Sequence, residues 1–142
     1  MSADGFFATS ASELSKAILD HLKSDESLSA VLGDPIRLYD DQSRHPYYPY
    51  AVLERHETTD SSVSERRCFE HQIQFATYSQ YGGLREAKSI VGQLRAAVER
   101  LDLPLNDQRI VLIISTYCDV MRTQNQKTFR GLLRVRIHTE ET

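Results

Sequence analysis

A chain of 142 residues, 40% hydrophobic and 26% charged, has the size and make-up of a single globular domain. A net charge of −3 argues against tight nucleic-acid binding, which draws mainly on neutralised phosphates. The two cysteines, Cys68 and Cys118, are too few for a disulfide scaffold and lack metal-site spacing, so they are expected to be reduced in a cytoplasm.

Residues 1–9 carry neither the basic start nor the apolar centre of a secretory signal and read as a flexible leader. Ser10 or Ser12 can cap a first helix with Leu14, Ala17, Ile18 and Leu22 on one side. Asp25 can cap a short second helix bearing Leu28, Val31 and Leu32. Gly33 suits its left-handed end, and Pro35 stops it. Residues 36–39 form a short extended piece, followed by the tyrosine- and proline-rich stretch 40–50. Tyr50 to Glu57 reads as a strand and the polar residues 58–66 as a loop or a long flexible hairpin tip. That loop is longer than the two to five residues usual in a hairpin, and is expected to be mobile until a neighbour orders it.

The next segment is the best patterned. Phe69, His71, Ile73, Phe75 and Thr77 alternate with polar or small residues, which is the period of a half-buried strand. Gly82-Gly83 breaks the chain. Ala87, Ile90, Val91, Leu94, Val98 and Leu101 then recur at steps of three and four, the stripe of an amphipathic helix roughly 28 Å long. Residues 109–120 and 128–139 read as two further strands joined by a polar hairpin, 122–127. The order α-α-β-β-α-β-β predicts an α+β fold: an antiparallel four-stranded sheet of two hairpins. The long helix lies between the hairpins, and the N-terminal helices pack on one face. Residues 1–142 are expected to form one domain.

One strand departs from this scheme. Ile110, Val111, Leu112, Ile113 and Ile114 are apolar on both strand faces, whereas a sheet covered on one side should alternate. The strand is therefore either central and covered twice, or meets another chain. Ser89, Gly92 and Ala96 form a strip of small residues on the back of the long helix, either a surface that allows close approach of another chain or, the favoured reading, solvated surface with one poor helix former.

No phosphate-binding glycine loop, nucleophile elbow or zinc-helix motif occurs. His21, His45, His56, His71 and His138 are scattered without ligand spacing, and His71 reads as a hydrogen-bonded core residue. Asp40, Asp41, Arg44 and His45 could compose a carboxylate–histidine site, but solvated loop charges explain them equally well. Tyr47, Tyr48 and Tyr50, with Pro46 and Pro49, form either a rigid aromatic contact or rings tucked onto the core. Arg130, Arg134, Arg136 and His138 share one face of the last strand. The wet side of an edge strand is favoured over a basic stripe facing DNA or an acidic partner.

The order of signals resembles a known family. Leu28, Val31, Leu32 and Gly33 lead into Arg37, Leu38, Tyr39 and Asp40. Pro49, Tyr50, Ala51, Val52 and Leu53 open the next strand, and Tyr78-Ser79, Gly82-Gly83 and Glu86-Ala87 lead into the helix. Gly131, Leu133, Arg134 and Arg136 mark the last strand. Over residues 12–140 this is similar to the tail terminator, or tail completion, proteins of long-tailed phages and phage-like gene transfer agents. Tyr78 departs from the tryptophan of many relatives. The resemblance implies a non-enzymatic virion protein without cofactor or metal, found in the host cytoplasm before assembly and at the tube–neck junction afterwards. Six copies would form a ring that ends growth of the tail tube and meets the neck and capsid. The genome would pass through without specific binding, and no membrane is involved. Tyr47, Tyr48, Tyr50, Ser62, Val63, Ile110, Leu112, Ile114, Arg130, Arg134 and Arg136 are the candidate subunit and tube interface. The arginines are expected to pair with carboxylates such as Glu54 or Glu70, since a conduit cannot hold its DNA. A head–tail connector or neck protein of the same kind of particle is the alternative. A small metal-dependent hydrolase or nuclease using Asp40, Asp41 and His45 is a remote one.

Overall fold

The computed structural model describes residues 3–41 and 47–142. Its elements are α1 (Ala3–Leu22), α2 (Glu26–Leu32), β1 (Leu38–Tyr39), β2 (Tyr50–Asp60), β3 (Cys68–Ser79), α3 (Gly83–Glu99), β4 (Gln108–Arg122) and β5 (Phe129–Glu141). The strands form one sheet in the order β1-β2-β3-β5-β4.

The α+β reading stands, but the four-stranded antiparallel sheet is corrected to a five-stranded mixed one. The extended piece after α2 becomes β1, which runs parallel to β2 with Leu38 opposite Ala51. It is held because Ala51 N–H donates to the Arg37 carbonyl (2.9 Å) and the Arg37 side chain donates to the Pro49 carbonyl (2.8 Å). The two hairpins join through an antiparallel β3–β5 pairing that runs from Cys68–Glu140 to Ser79–Phe129. β5 is thus central, and the edge-strand reading of the arginine strand is corrected.

Two boundaries also differ. Residues 3–9, expected in a leader, are helical from Ala3 onward. Ser10 is not a cap. It is buried, its hydroxyl donates to Gln108 Oε1 (2.6 Å), and this bond ties α1 to the start of β4. The loop expected at 58–66 is shorter than that: residues 58–60 are strand. β2 continues to Asp60, and the tip closes as a tight turn in which Val63 and Arg66 exchange backbone hydrogen bonds. Ser64 takes φ 57° there, a left-handed conformation a polar residue tolerates better than a branched one. Asp25 caps α2 as read from sequence, accepting from Ser27 N–H (2.9 Å), and Gly33 ends it at φ 87°.

All three helices lie on one face of the sheet. Phe75, Ile73, Leu133, Val135 and Ile137 meet Ile90, Leu94 and Val98 of α3, with Leu14, Ile18 and Leu22 of α1 closing the layer. Gly131 permits the close approach of α3, since a Cβ there would run into Thr77 Oγ1 and Val91 Cγ2.

Candidate assembly surface

Because β4 is an edge, the doubly covered reading of residues 110–114 falls away. Its partners show why the run looked apolar on both faces. Ile110 lies opposite Thr139 and Ile113 opposite Ile137, on the helix side. Leu112 lies opposite His138 and Ile114 opposite Arg136, on the other side. Val111 is the extra residue of a bulge, and a second irregularity falls at Thr116. The bulge shifts the period by one, so one apolar run feeds two faces. Val111 (57% exposed), Leu112 (42%), Tyr117 (42%) and Met121 (45%) stay open along this edge.

The helix-free face of the sheet carries the arginines, and their charge is largely answered within the chain. Arg130 pairs with Glu54 at 2.8 Å, and its Nε donates to the Tyr78 hydroxyl at 3.3 Å. Glu70 lies 3.6 Å from Arg136 and 3.2 Å from His138. Arg134 departs from the expectation of a carboxylate partner: its Nε donates to Gln74 Oε1 (2.8 Å) and its guanidinium sits over the Tyr117 ring (4.9 Å). Glu140 joins Arg109 and Arg66, and both hydrogen bonds hold its carboxyl below the usual range.

The tyrosines divide. Tyr50 is buried, stacked on Tyr78 at 4.9 Å and close to Tyr48 at 5.4 Å, and burial pushes its hydroxyl up to about 12. Tyr48 is half-buried against it and Tyr47 is 81% exposed. The tucked-ring reading holds for Tyr50, while Tyr47 stands free. Arg44, His45 and Pro46 lie outside the described residues, while Asp40 and Asp41 are exposed. Among the described residues no group of three or more His, Cys, Asp or Glu side chains is placed to hold a metal.

His71 is a core residue, as read from sequence, but its partner was not foreseen. Its Nδ1 lies 2.8 Å from His56 Nε2 and its Nε2 lies 3.1 Å from Thr139 Oγ1, linking β2, β3 and β5. Burial lowers His71 to about 3, so the ring is neutral at physiological pH. The register sets His56 beside Ile73 and Thr58 beside His71, a proximity that neither strand announces alone.

The hairpin tip was among the sequence candidates, whereas the groove beside α3 was not. At the hairpin tip Val63 is 70% exposed, beside Ser62, whose hydroxyl accepts from Cys68 N–H (3.0 Å). Between α3 and β4 lies an open groove of about 480 Å³ floored by Val91, Gly92, Cys118 and Val120. Its signal was the small-residue strip on α3, read as plain surface because nothing in a sequence shows which strand lies beside Gly92.

A single sheet with helices on one face, an ion-paired polar face behind and an apolar free edge defines a small α+β domain. The chain belongs to the tail completion protein gp17 family, whose model matches residues 16–140. It is thus a tail-associated structural protein of phage-type virions. Its fold is similar to that of a chain in the virion of a native gene transfer agent particle (TM-score 0.82, 22% identity, covering 94% of this chain and 98% of that one). It is also similar to the bacteriophage SPP1 gp17 protein (TM-score 0.59, 18% identity, covering 90% and 89%). No curated protein matches. No described helix is long and apolar enough to cross a membrane.

Proposed function

We propose that six copies of this chain form a ring on the end of the tail tube, stop its growth and join the tail to the neck and capsid. The observation that carries this reading is the β4 edge, a 15-residue strand paired on one side only, with Val111, Leu112, Tyr117 and Met121 exposed. Long apolar edges invite pairing with other chains, and a protein that keeps one has a use for it. A closed ring needs a heterologous interface, so each subunit must present two different surfaces. Leu112 and Ile114 belong to one, whereas Ile110 packs against the core from the helix side. Ser62 and Val63 at the hairpin tip belong to the other. Tyr47 and Tyr48 face the tube or neck protein, with Tyr50 as the stacked support behind them. The family match and the similarity to a chain of a gene transfer agent virion support a place in the particle. The ion-paired face of Arg130 and Arg136 suits a conduit, because cations already paired release few counterions and hold passing DNA weakly.

Cryo-EM of particles containing the chain tests this. Six copies at the tube–neck junction are expected. A different copy number, or density at another station such as the neck, overturns the reading.

A further inference from the structure

The groove beside α3 and the β2–β3 tip are complementary, and we propose that the tip of one subunit docks in the groove of the next. This deepens the ring reading and rests on it. The groove floor is Val91, Gly92, Cys118 and Val120, an apolar trough on an exposed surface, and a Cβ built on Gly92 meets nothing within 4 Å. Space is therefore left open beside Gly92, although the helix would be more stable with alanine there. At the tip, the β3–β5 ladder ends at Cys68 opposite Glu140, so residues 62–66 project past the sheet. Val63 is the apolar side chain of that projection and is 70% exposed.

The charges match as well. Lys88 on the groove rim and Glu65 on the tip each make no ion pair among the described residues, whereas their neighbours are engaged. Arg95 bonds Glu99 (2.9 Å), Asp119 accepts from the Tyr117 hydroxyl (3.1 Å) and Arg66 bonds Glu140 (3.1 Å). A valine knob entering an apolar trough, with a lone anion brought to a lone cation, gives one surface of each kind per subunit. Head-to-tail closure requires that pairing of unlike surfaces.

The groove also contains its own reporter. Cys118 is exposed on the floor, and Cys68 is the other free cysteine. In a Cys68→Ser background, Val63→Cys places one new thiol on the tip. A disulfide to a neighbour's Cys118 then requires Cα atoms within about 7 Å. Mild oxidation of tails carrying this variant is expected to yield a ladder of crosslinked subunits. Gly92→Leu should block assembly while leaving thermal stability unchanged or raised. Lys88→Glu should weaken assembly and be rescued by Glu65→Lys. Tails that carry the protein at the tube end but give no such ladder, or that assemble normally with Gly92→Leu, overturn the docking and leave the ring standing. So does a crosslink to the tube or neck protein in place of a second copy. Absence of the chain from the tube end removes both the ring and the docking.

Discussion

β4 and β5 are paired neighbours of similar length with opposite fates, and the one richer in apolar residues is the less buried. In β5, Leu133, Val135, Ile137 and Thr139 are buried and the alternate arginines face outward. In β4, Val111, Leu112, Tyr117 and Met121 remain exposed. The difference is position. β5 has a strand on each side and helices over one face, whereas β4 has one neighbour and two interruptions of register. An apolar side chain in the first contributes to folding the subunit. In the second it stays in contact with water.

The contrast is tested most severely on the inner ladder. Phe75 is 1% exposed beneath α3, so Phe75→Ala should cost about 3–5 kcal/mol and come close to unfolding the subunit. Leu112→Ala on the outer strand should cost under about 1 kcal/mol in the same urea titration and show its effect in ring assembly. Equal losses from the two would erase the distinction between core and edge.

Acid should act on the inner ladder as well. His71 is neutral when folded, with its pKa lowered to about 3 by burial, while the unfolded chain binds the proton near pH 6.5. The unfolded state therefore holds more protons across this window. Stability is present above about 6.5 and is lost as pH falls towards 3. Between pH 7 and 4.5 the loss from this residue is about 2–3 kcal/mol, readable from chemical denaturation at the two pH values. His71→Gln should flatten that slope. A slope unchanged by the substitution would place the sensitivity elsewhere.

Two glycines give a finer contrast. A Cβ at Gly131 would strike Thr77 and Val91, both short side chains with little freedom to withdraw, so Gly131→Ala should destabilise by about 1–3 kcal/mol. Gly92 opens onto empty space, and Gly92→Ala should stabilise by about 1 kcal/mol through helix propensity. Melting temperatures that move in the same direction would contradict this difference in packing. The smallest effect belongs to the arginine face: Glu54→Gln breaks the pair with Arg130, a partly exposed contact worth at most about 1 kcal/mol. Its clearer signature should be salt-dependent DNA retention by assembled rings.

The elements themselves were legible in the sequence. The alternation of residues 69–77 marked β3, and the stripe from Ala87 to Val98 became the buried face of α3, with Leu101 buried just past its end. Asp25 and Gly33 marked the ends of α2. These features are local, because a strand repeats every two residues, a helix every 3.6, and caps act within one turn. The tight turn at Ser64-Glu65 was not legible, because polar residues suit both a loop and a solvent-facing strand end.

Strand order lay beyond the sequence, although pairing of the arginines with Glu54 or Glu70 was expected from it and is found for Arg130 and Arg136. Nothing in Phe129–Glu141 says that it inserts between β3 and β4. That insertion places Arg130 beside Glu54 and Arg136 beside Glu70, and leaves β4 at the rim. The apolar run at 110–114 announced that something must cover it, without saying whether from inside or outside the subunit. Tertiary structure placed the strand at an edge, with its bulge at Val111 dividing the run between two faces. The same placement set Cys118 and Val120 beside Gly92. Hydrophobic periodicity records which side chains avoid water, but the neighbour they meet is set by pairings between residues far apart in the chain.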